Sequence, residues 1–510
     1  MRDSGPETLV DIIVVGGGGS GLAAAIEARA MGCTVVLLEK NPQLGGSTAW
    51  SIGSITSSAT LHQARHGIKD GPEDHWTDMT LFAEPHLADR DNAELRRILC
   101  DDVPHAFRWL MEMGVRFYGP MPEPPHRLPR MHNVLPNSRS YIYHLERRAR
   151  RIGVDIRLQT SAQDLIVETG RVVGVDSKQH DARCRFRARG GVILATGDFT
   201  NSAELKGRYM GAQEAKVEGV NVTATGDGQR LALGLGARIV NGDLALGPEI
   251  RFIAPTRTTF VRRLPPWRIL AAFMAWALDH MPQALLRPFV MGFVTTALAP
   301  SPTLFRNGAL LINKEGKRFC DECDRPAFAL PDQPGKSGYI LIDSRIAQKF
   351  ASWPNFVSTA PGVAYAYISD YRRNRPDVYA EAPSLDALAV KLRMDSATLR
   401  QTVAKRSEEL AAKADDVYTN QKLIPPLGNG PFTALGPVRA VFVHNEGGLA
   451  VDSQHRVLDG MSQPISGLYA VGSTGQGGLL LKGHGHHLAW AFVSGRRAGR
   501  IAASQAALHP

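Results

Sequence analysis

Residues 11–53 read DIIVVGGGGSGLAAAIEARAMGCTVVLLEKNPQLGGSTAWSIG, and the order of parts in that stretch decides the fold. A strand-like apolar run, Ile12 to Val15, passes directly into Gly16, Gly18 and Gly21, the spacing G-x-G-x-x-G, with Gly19 and Ser20 between the last two. Small residues Ala23–Ala25 and Ala28 follow at helical spacing, then a second apolar run, Val35–Leu38, ending in Glu39, 23 positions after Gly16. Each part has a physical task. Gly16 permits a tight turn, Gly18 lets the backbone approach a pyrophosphate, and Gly21 lets helix and strand pack closely. The helix N-terminus offers unpaired N–H groups and the positive end of its dipole to phosphates. Glu39 is placed to accept hydrogen bonds from an adenosine ribose. Strand, glycines, helix, strand and acid in this order predict dinucleotide binding, where the glycines alone would not.

A second Gly/Ser-rich stretch follows at once: Lys40, Gly45-Gly46-Ser47-Thr48, then Ser51-Ile52-Gly53. A nicotinamide cofactor does not need it. The run LEKNPQLGGSTAWSIGSI resembles the fumarate reductase/succinate dehydrogenase flavoprotein superfamily (FAD-dependent oxidoreductase 2), which includes the soluble fumarate reductases and the 3-ketosteroid dehydrogenases. The resemblance implies a Rossmann-like α/β FAD-binding domain of the glutathione reductase type, interrupted by an inserted α+β capping domain. The expected bounds are 1–247 and 443–510 for the FAD-binding parts and 248–442 for the cap. Membrane succinate dehydrogenases attach FAD covalently through a histidine in this loop. Ser47 stands at the matching position, so non-covalent FAD is implied.

Further along, the resemblance places Ala162 beside the adenine and Ala195-Thr196-Gly197, at the end of RFRARGGVILATGD, against the cofactor. It places Asp227, in ATGDG, near the ribityl chain or diphosphate. In the closing segment Gly472 allows close approach, and Gly483–Gly485 start a helix, Leu488–Ala502, whose N-terminal dipole would face the flavin. Gly485 and Leu488 are therefore cofactor-binding candidates.

The 510 residues suffice for two or three domains, and 44% hydrophobic with 21% charged residues describes an ordinary α/β enzyme. The net charge of +10 is spread along the chain without an aromatic-interleaved basic block, so nucleic acid is not an expected partner. Five cysteines form an odd, sparse set that suits a reducing compartment. With no apolar signal core before the first strand, a cytoplasmic protein is expected. Residues 268–300 are the most apolar part of the cap, broken by Asp279, Pro282, Arg287 and Pro288. They read as buried cap helices, as a hydrophobic substrate entrance, or as an interfacial patch making peripheral membrane contact.

Flavin hydride exchange at a C–C bond requires a proton-transfer group at the neighbouring carbon and a donor that polarises the activating carbonyl. The resemblance nominates His444, in H-N-E-G-G, as a substrate-binding histidine. It nominates Arg325 as the arginine after R-F-x-x-E (Arg318 to Glu322), one residue closer than the family spacing. Lys482 is nearest to the family's last carboxylate-binding arginine. Tyr118 has the claim of a ketosteroid-dehydrogenase tyrosine. Arg130 and His132 lie in a Pro-rich loop and read either as site lining or as a solvated basic surface. His484, His486 and His487 read as active-site lining; no second ligand cluster accompanies them, and no metal is expected. Cys320-x-x-Cys323 lies on a cap turn, which disfavours a redox disulfide. Neither a heme motif nor a second G-x-G-x-x-G is present.

An incomplete carboxylate clamp and an apolar cap insertion favour a hydrophobic ketone, steroid-like or otherwise, over fumarate or succinate. An external electron acceptor or donor, quinone-like or a small carrier, would complete turnover. A flavin electron carrier without its own substrate is the third reading.

Overall fold

The computed structural model describes residues 7–508 except 181, 255–262, 283–284, 288–290, 292–294, 296–297, 361–363 and 415–423. At its centre lies strand β1 (Glu7–Val15), hydrogen-bonded in parallel to β2 (Val35–Leu38). Between them runs helix α1 (Gly19–Ala30), buried from Gly19 to Ala28. A helix covered on every side has no polar face to display, which is why its sequence is Ala-rich rather than amphipathic.

Around this unit an eight-stranded sheet assembles. Strand β3 (Asp155–Arg157) extends it in parallel beyond β2. On the other side β1 pairs in parallel with β6 (Ala182–Leu194), reached through the antiparallel hairpin β4 (Thr160–Glu168) and β5 (Arg171–Gln179). The chain returns near its end to add β7 (Pro464–Ala470) in parallel to β6, followed by helix α2 (His486–Ala506). One apolar core joins these strands to α1 and α2.

A second, mostly antiparallel sheet is organised on the strand Phe432–Phe442, which pairs with Glu249–Phe252, Gly338–Ile342, Tyr379–Ala382 and the two residues Glu218–Gly219. It carries its own apolar core. Helices Leu385–Leu392 and Ser396–Ala414 follow one another in the chain and pack together.

Two expectations are corrected. The Pro-rich segment after residue 115 is not simply a loop. Arg116–Met121 and Met131–Leu135 are antiparallel strands that join Ser54–Thr56 in a three-stranded sheet. Helix Arg268–His280 is not a buried cap helix. It packs on those strands through Ala271 and Ala277 and leaves Ile269, Phe273 and Trp276 at 86%, 59% and 52% exposure. Half of 281–300 lies outside the described residues, and of the rest Met291 and Leu298 are buried in the second core. Among the described residues, no helix is long and apolar enough to cross a membrane.

Candidate active site

A cavity of about 1040 Å³ runs from the N-terminus of α1 to the second sheet. Its first half is built from the segments singled out in the sequence. Gly16, Gly18, Gly19, Ser20, Glu39, Lys40, Gly46, Ser47, Thr48, Ser51, Gly53, Ala162, Ala195, Thr196, Gly197, Asp227, Gly472, Gly485 and Leu488 all line it. Gly21 and Gly45 stand behind the wall. A side chain at Gly21 would sit 1.9 Å from the Gly16 carbonyl oxygen, so glycine there is what allows the turn to close.

The chemistry of this half fits a dinucleotide. Neither α1 nor α2 has a side-chain N-cap: Gly18 and Gly485 hold the cap positions, so both helices present backbone N–H groups to the cavity. The Glu39 carboxylate accepts the Gly17 N–H at 2.8 Å and the Asn41 N–H at 2.8 Å, fixing the acid at the end of β2. Lys40 pairs with Asp227 at 2.7 Å, tying the loop after β2 to the one before helix Asp227–Leu233.

Toward the second sheet the lining becomes ionisable. His444, Glu446 and His487 form one cluster, with His444 and His487 Nε2 at 3.6 and 3.5 Å from Glu446 Oε1. The two rings are 3.9 Å apart at their centroids. Glu446 also accepts the Leu481 N–H at 2.9 Å and a bond from Gln476. Burial alone would raise the Glu446 carboxyl. The charge of a protonated His487 and the contacts of both imidazoles outweigh it and hold Glu446 well below the usual carboxylate range. Burial, then the neighbouring His444, pushes His487 down. Glu446 is thus the acid on which the two imidazoles converge.

Beside this cluster, the His484 N–H and Nδ1 both meet Glu123 Oε1 at 2.6 Å, and that bond lifts His484 above its ordinary value. Lys482 pairs with Glu84 at 3.0 Å and Arg251 with Glu249 at 2.8 Å. Phe82, Leu87, Leu244, Leu246 and Leu480 supply apolar wall.

Three nominated groups are elsewhere, and each for a visible reason. Arg325, at φ 47°, turns outward: its guanidinium stacks on Phe328, approaches Glu214 at 3.9 Å and is 65% exposed. Glu322 is spoken for by Arg318. Tyr118 lies on strand Arg116–Met121 near Asp279, outside the cavity wall. Arg130 and His132 are neither solvated nor lining. Arg130 is fully buried between Asp70, at 2.7 Å, and Asp78, while His132 is held by the Arg130 carbonyl and Thr60. Cys320 and Cys323 are free thiols.

Several residues were missed. Glu84, Glu123, Glu249 and Arg251 come from segments with no motif. Glu446 sat inside the quoted H-N-E-G-G and could have been flagged by its spacing to His444.

With this geometry in view, comparison with known proteins is decisive at the level of family. The family model described as FAD binding domain matches residues 11–250 and 276–480. The chain belongs to that family. It is an FAD-dependent oxidoreductase and a relative of the fumarate reductases. A probable fumarate reductase, Ifc3, of Shewanella frigidimarina is 26% identical over 99% of this chain and 76% of its own length. A vinyl phenol reductase of Lactiplantibacillus plantarum is 25% identical over 97% and 96%. In fold, the chain is similar to the open conformation of a flavocytochrome c3 fumarate reductase, at a TM-score of 0.70 and 24% identity over 98% of this chain and 79% of that one. It also resembles a 3-ketosteroid Δ1-dehydrogenase from Sterolibacterium denitrificans, at 0.63 and 19% over 98% and 100%.

Proposed function

We propose that this enzyme adds or removes a hydride and a proton across a C–C bond next to the carbonyl of an uncharged, largely apolar substrate, such as a 3-ketosteroid or another enone. One observation carries the choice of substrate class. At the second-sheet end of the cavity the fixed acids Glu84, Glu123, Glu249 and Glu446 outnumber the fixed cations Arg251 and Lys482, and both cations already hold an acid. A dianion entering there would meet net negative charge and would have to displace those pairs. The apolar side chains of the same walls favour a neutral guest. The exposed helix Arg268–His280 contributes nothing to this preference.

FAD, held without a covalent bond by the residues of the first half, supplies hydride chemistry. The protein's own groups divide the remaining work. His444 and His487, set over the buried Glu446, pass the proton at the carbon neighbouring the hydride position. The carboxylate orients both rings and stabilises the charged one. His484, held in donor form by Glu123, polarises the carbonyl oxygen. The apolar walls exclude water from both. An external carrier completes the turnover.

The test is anaerobic absorbance of the oxidised flavin titrated with 3-ketosteroids, other saturated ketones and succinate. Bleaching by a ketone supports the proposal. Bleaching by succinate, together with reoxidation of the reduced enzyme by fumarate, would replace it with the dicarboxylate reading. Full reduction by an artificial donor with no response to any of them would leave an electron carrier.

A further inference from the structure

Behind the active-site loop lies a group of side chains that the proposed reaction does not use. His75 belongs to helix Pro72–Met79, His126 to the turn between strands Arg116–Met121 and Met131–Leu135, and His486 opens α2. All three are buried, with ring centroids 5.5, 5.7 and 5.3 Å apart. A ring nitrogen of each lies within 4.8 Å of the other two. Both nitrogens of His75, and Nε2 of His126 and of His486, have no hydrogen-bond partner. Buried imidazole nitrogens that lack partners are uncompensated for their lost hydration, and here three such rings converge, one nitrogen from each.

We propose that His75, His126 and His486 bind a divalent metal ion of the zinc class. Three neutral nitrogen donors suit a tetrahedral ion with a fourth position open. Its bonds of about 2.0–2.1 Å place ligands about 3.3 Å apart, a modest contraction from the present spacing. Burial keeps all three rings in the neutral, ligating form. The outer partner of His486 is also in place. His486 Nδ1 is 2.6 Å from the Lys482 carbonyl oxygen, which fixes the tautomer with Nε2 free to ligate. His126 Nδ1 lies 4.0 Å from Asp78 Oδ2 but 3.0 Å from Arg130 Nη1. In the metal-free tautomer its proton therefore sits on Nε2, and metal entry must move it to Nδ1, toward Asp78. Glu123 Oε2 is buried, without a hydrogen-bond partner, and close to His486. Phe82 closes the group with edge contacts to His126 and His486.

The ion would clamp three distant segments and fix the loop that carries Lys482, His484 and His487, so the site is independent of which substrate the cavity takes.

The experiment uses the flavin-loaded enzyme with its thiols alkylated and its metals removed by chelator. Zn²⁺ is titrated in competition with a chromophoric chelator, on the wild type, H75Q, H126Q and H444Q. One tight equivalent is expected in the wild type and in H444Q, and its loss in H75Q and H126Q. The zinc-dependent rise in Tm should follow the same pattern. No tight equivalent in the wild type overturns the proposal, as does one that survives H75Q and H126Q. An equivalent lost only in H444Q would move the ion to the His444–Glu446–His487 cluster and overturn it too. X-ray absorption of zinc on the wild type needs no variant: three imidazoles in its first shell are expected, and two or none would overturn the assignment.

Discussion

Replacing Glu446 by glutamine isolates the charge at the centre of the proton-handling cluster while keeping its shape. The carboxylate oxygen stands 3.5 and 3.6 Å from the two imidazoles. At that separation a full ion pair interacts by about 4–5 kcal/mol at an effective dielectric of about 20. Its loss lowers the proton affinity of His487, which Glu446 otherwise raises. The Leu481 N–H still finds an acceptor in the glutamine, so the fold should hold. Proton transfer by a positioned group contributes about 10²–10⁴ in rate. We expect E446Q to lower the rate of flavin reduction or reoxidation by at least about 10²-fold, or about 2.7 kcal/mol. The acid limb of its pH profile should move to lower pH, because a histidine without its anion gives up its proton sooner. Anaerobic stopped-flow absorbance across pH, with flavin content confirmed first, measures both effects. A variant that keeps full FAD and reacts within threefold of wild type, with an unmoved acid limb, would refute the assignment of this cluster to proton transfer.

Other outcomes follow from the same structure. G21A places a methyl 1.9 Å from the Gly16 carbonyl oxygen, and the purified protein should contain little FAD by released-flavin fluorescence. R130A leaves Asp70 buried without its cation and Asp78 with Arg127 alone, and urea unfolding should show a loss of about 3–5 kcal/mol. R325A removes only an exposed guanidinium, so flavin reduction rates should match wild type. His484 has a raised folded pKa, so its pair with Glu123 stabilises fully below the unfolded value of about 6.5 and loses that contribution as pH rises through the folded value. H484Q should therefore lower Tm more at about pH 6 than at about pH 9.

The cofactor half of the site was legible because dinucleotide binding depends on local geometry. Glycine spacing, helix starts and the acid after β2 are each written into a few consecutive residues, and nearly all the nominated positions line the cavity. The reacting end was less so. Glu84, Glu123 and Arg251 meet there only through tertiary packing, and no local spacing announces them. Arg325 failed because one residue fewer after R-F-x-x-E leaves it in a left-handed turn facing outward. Proline misled in 116–138, where two strands form in spite of Pro120, since small sheets tolerate proline at edges and bulges. Helix Arg268–His280 looked like cap interior from composition, but a helix lying on a three-stranded sheet buries one narrow face and leaves the rest outside.

Charge at the substrate end is the central claim, and the most direct test keeps the reacting double bond while changing only the charge. Reduced enzyme is mixed anaerobically with fumarate or with its dimethyl ester, and flavin reoxidation is followed by absorbance. The excess of fixed acids over free cations predicts faster reoxidation by the neutral diester. Faster reoxidation by the dianion would contradict the account and show that Arg251, Lys482 and the histidines leave their acids to clamp carboxylates.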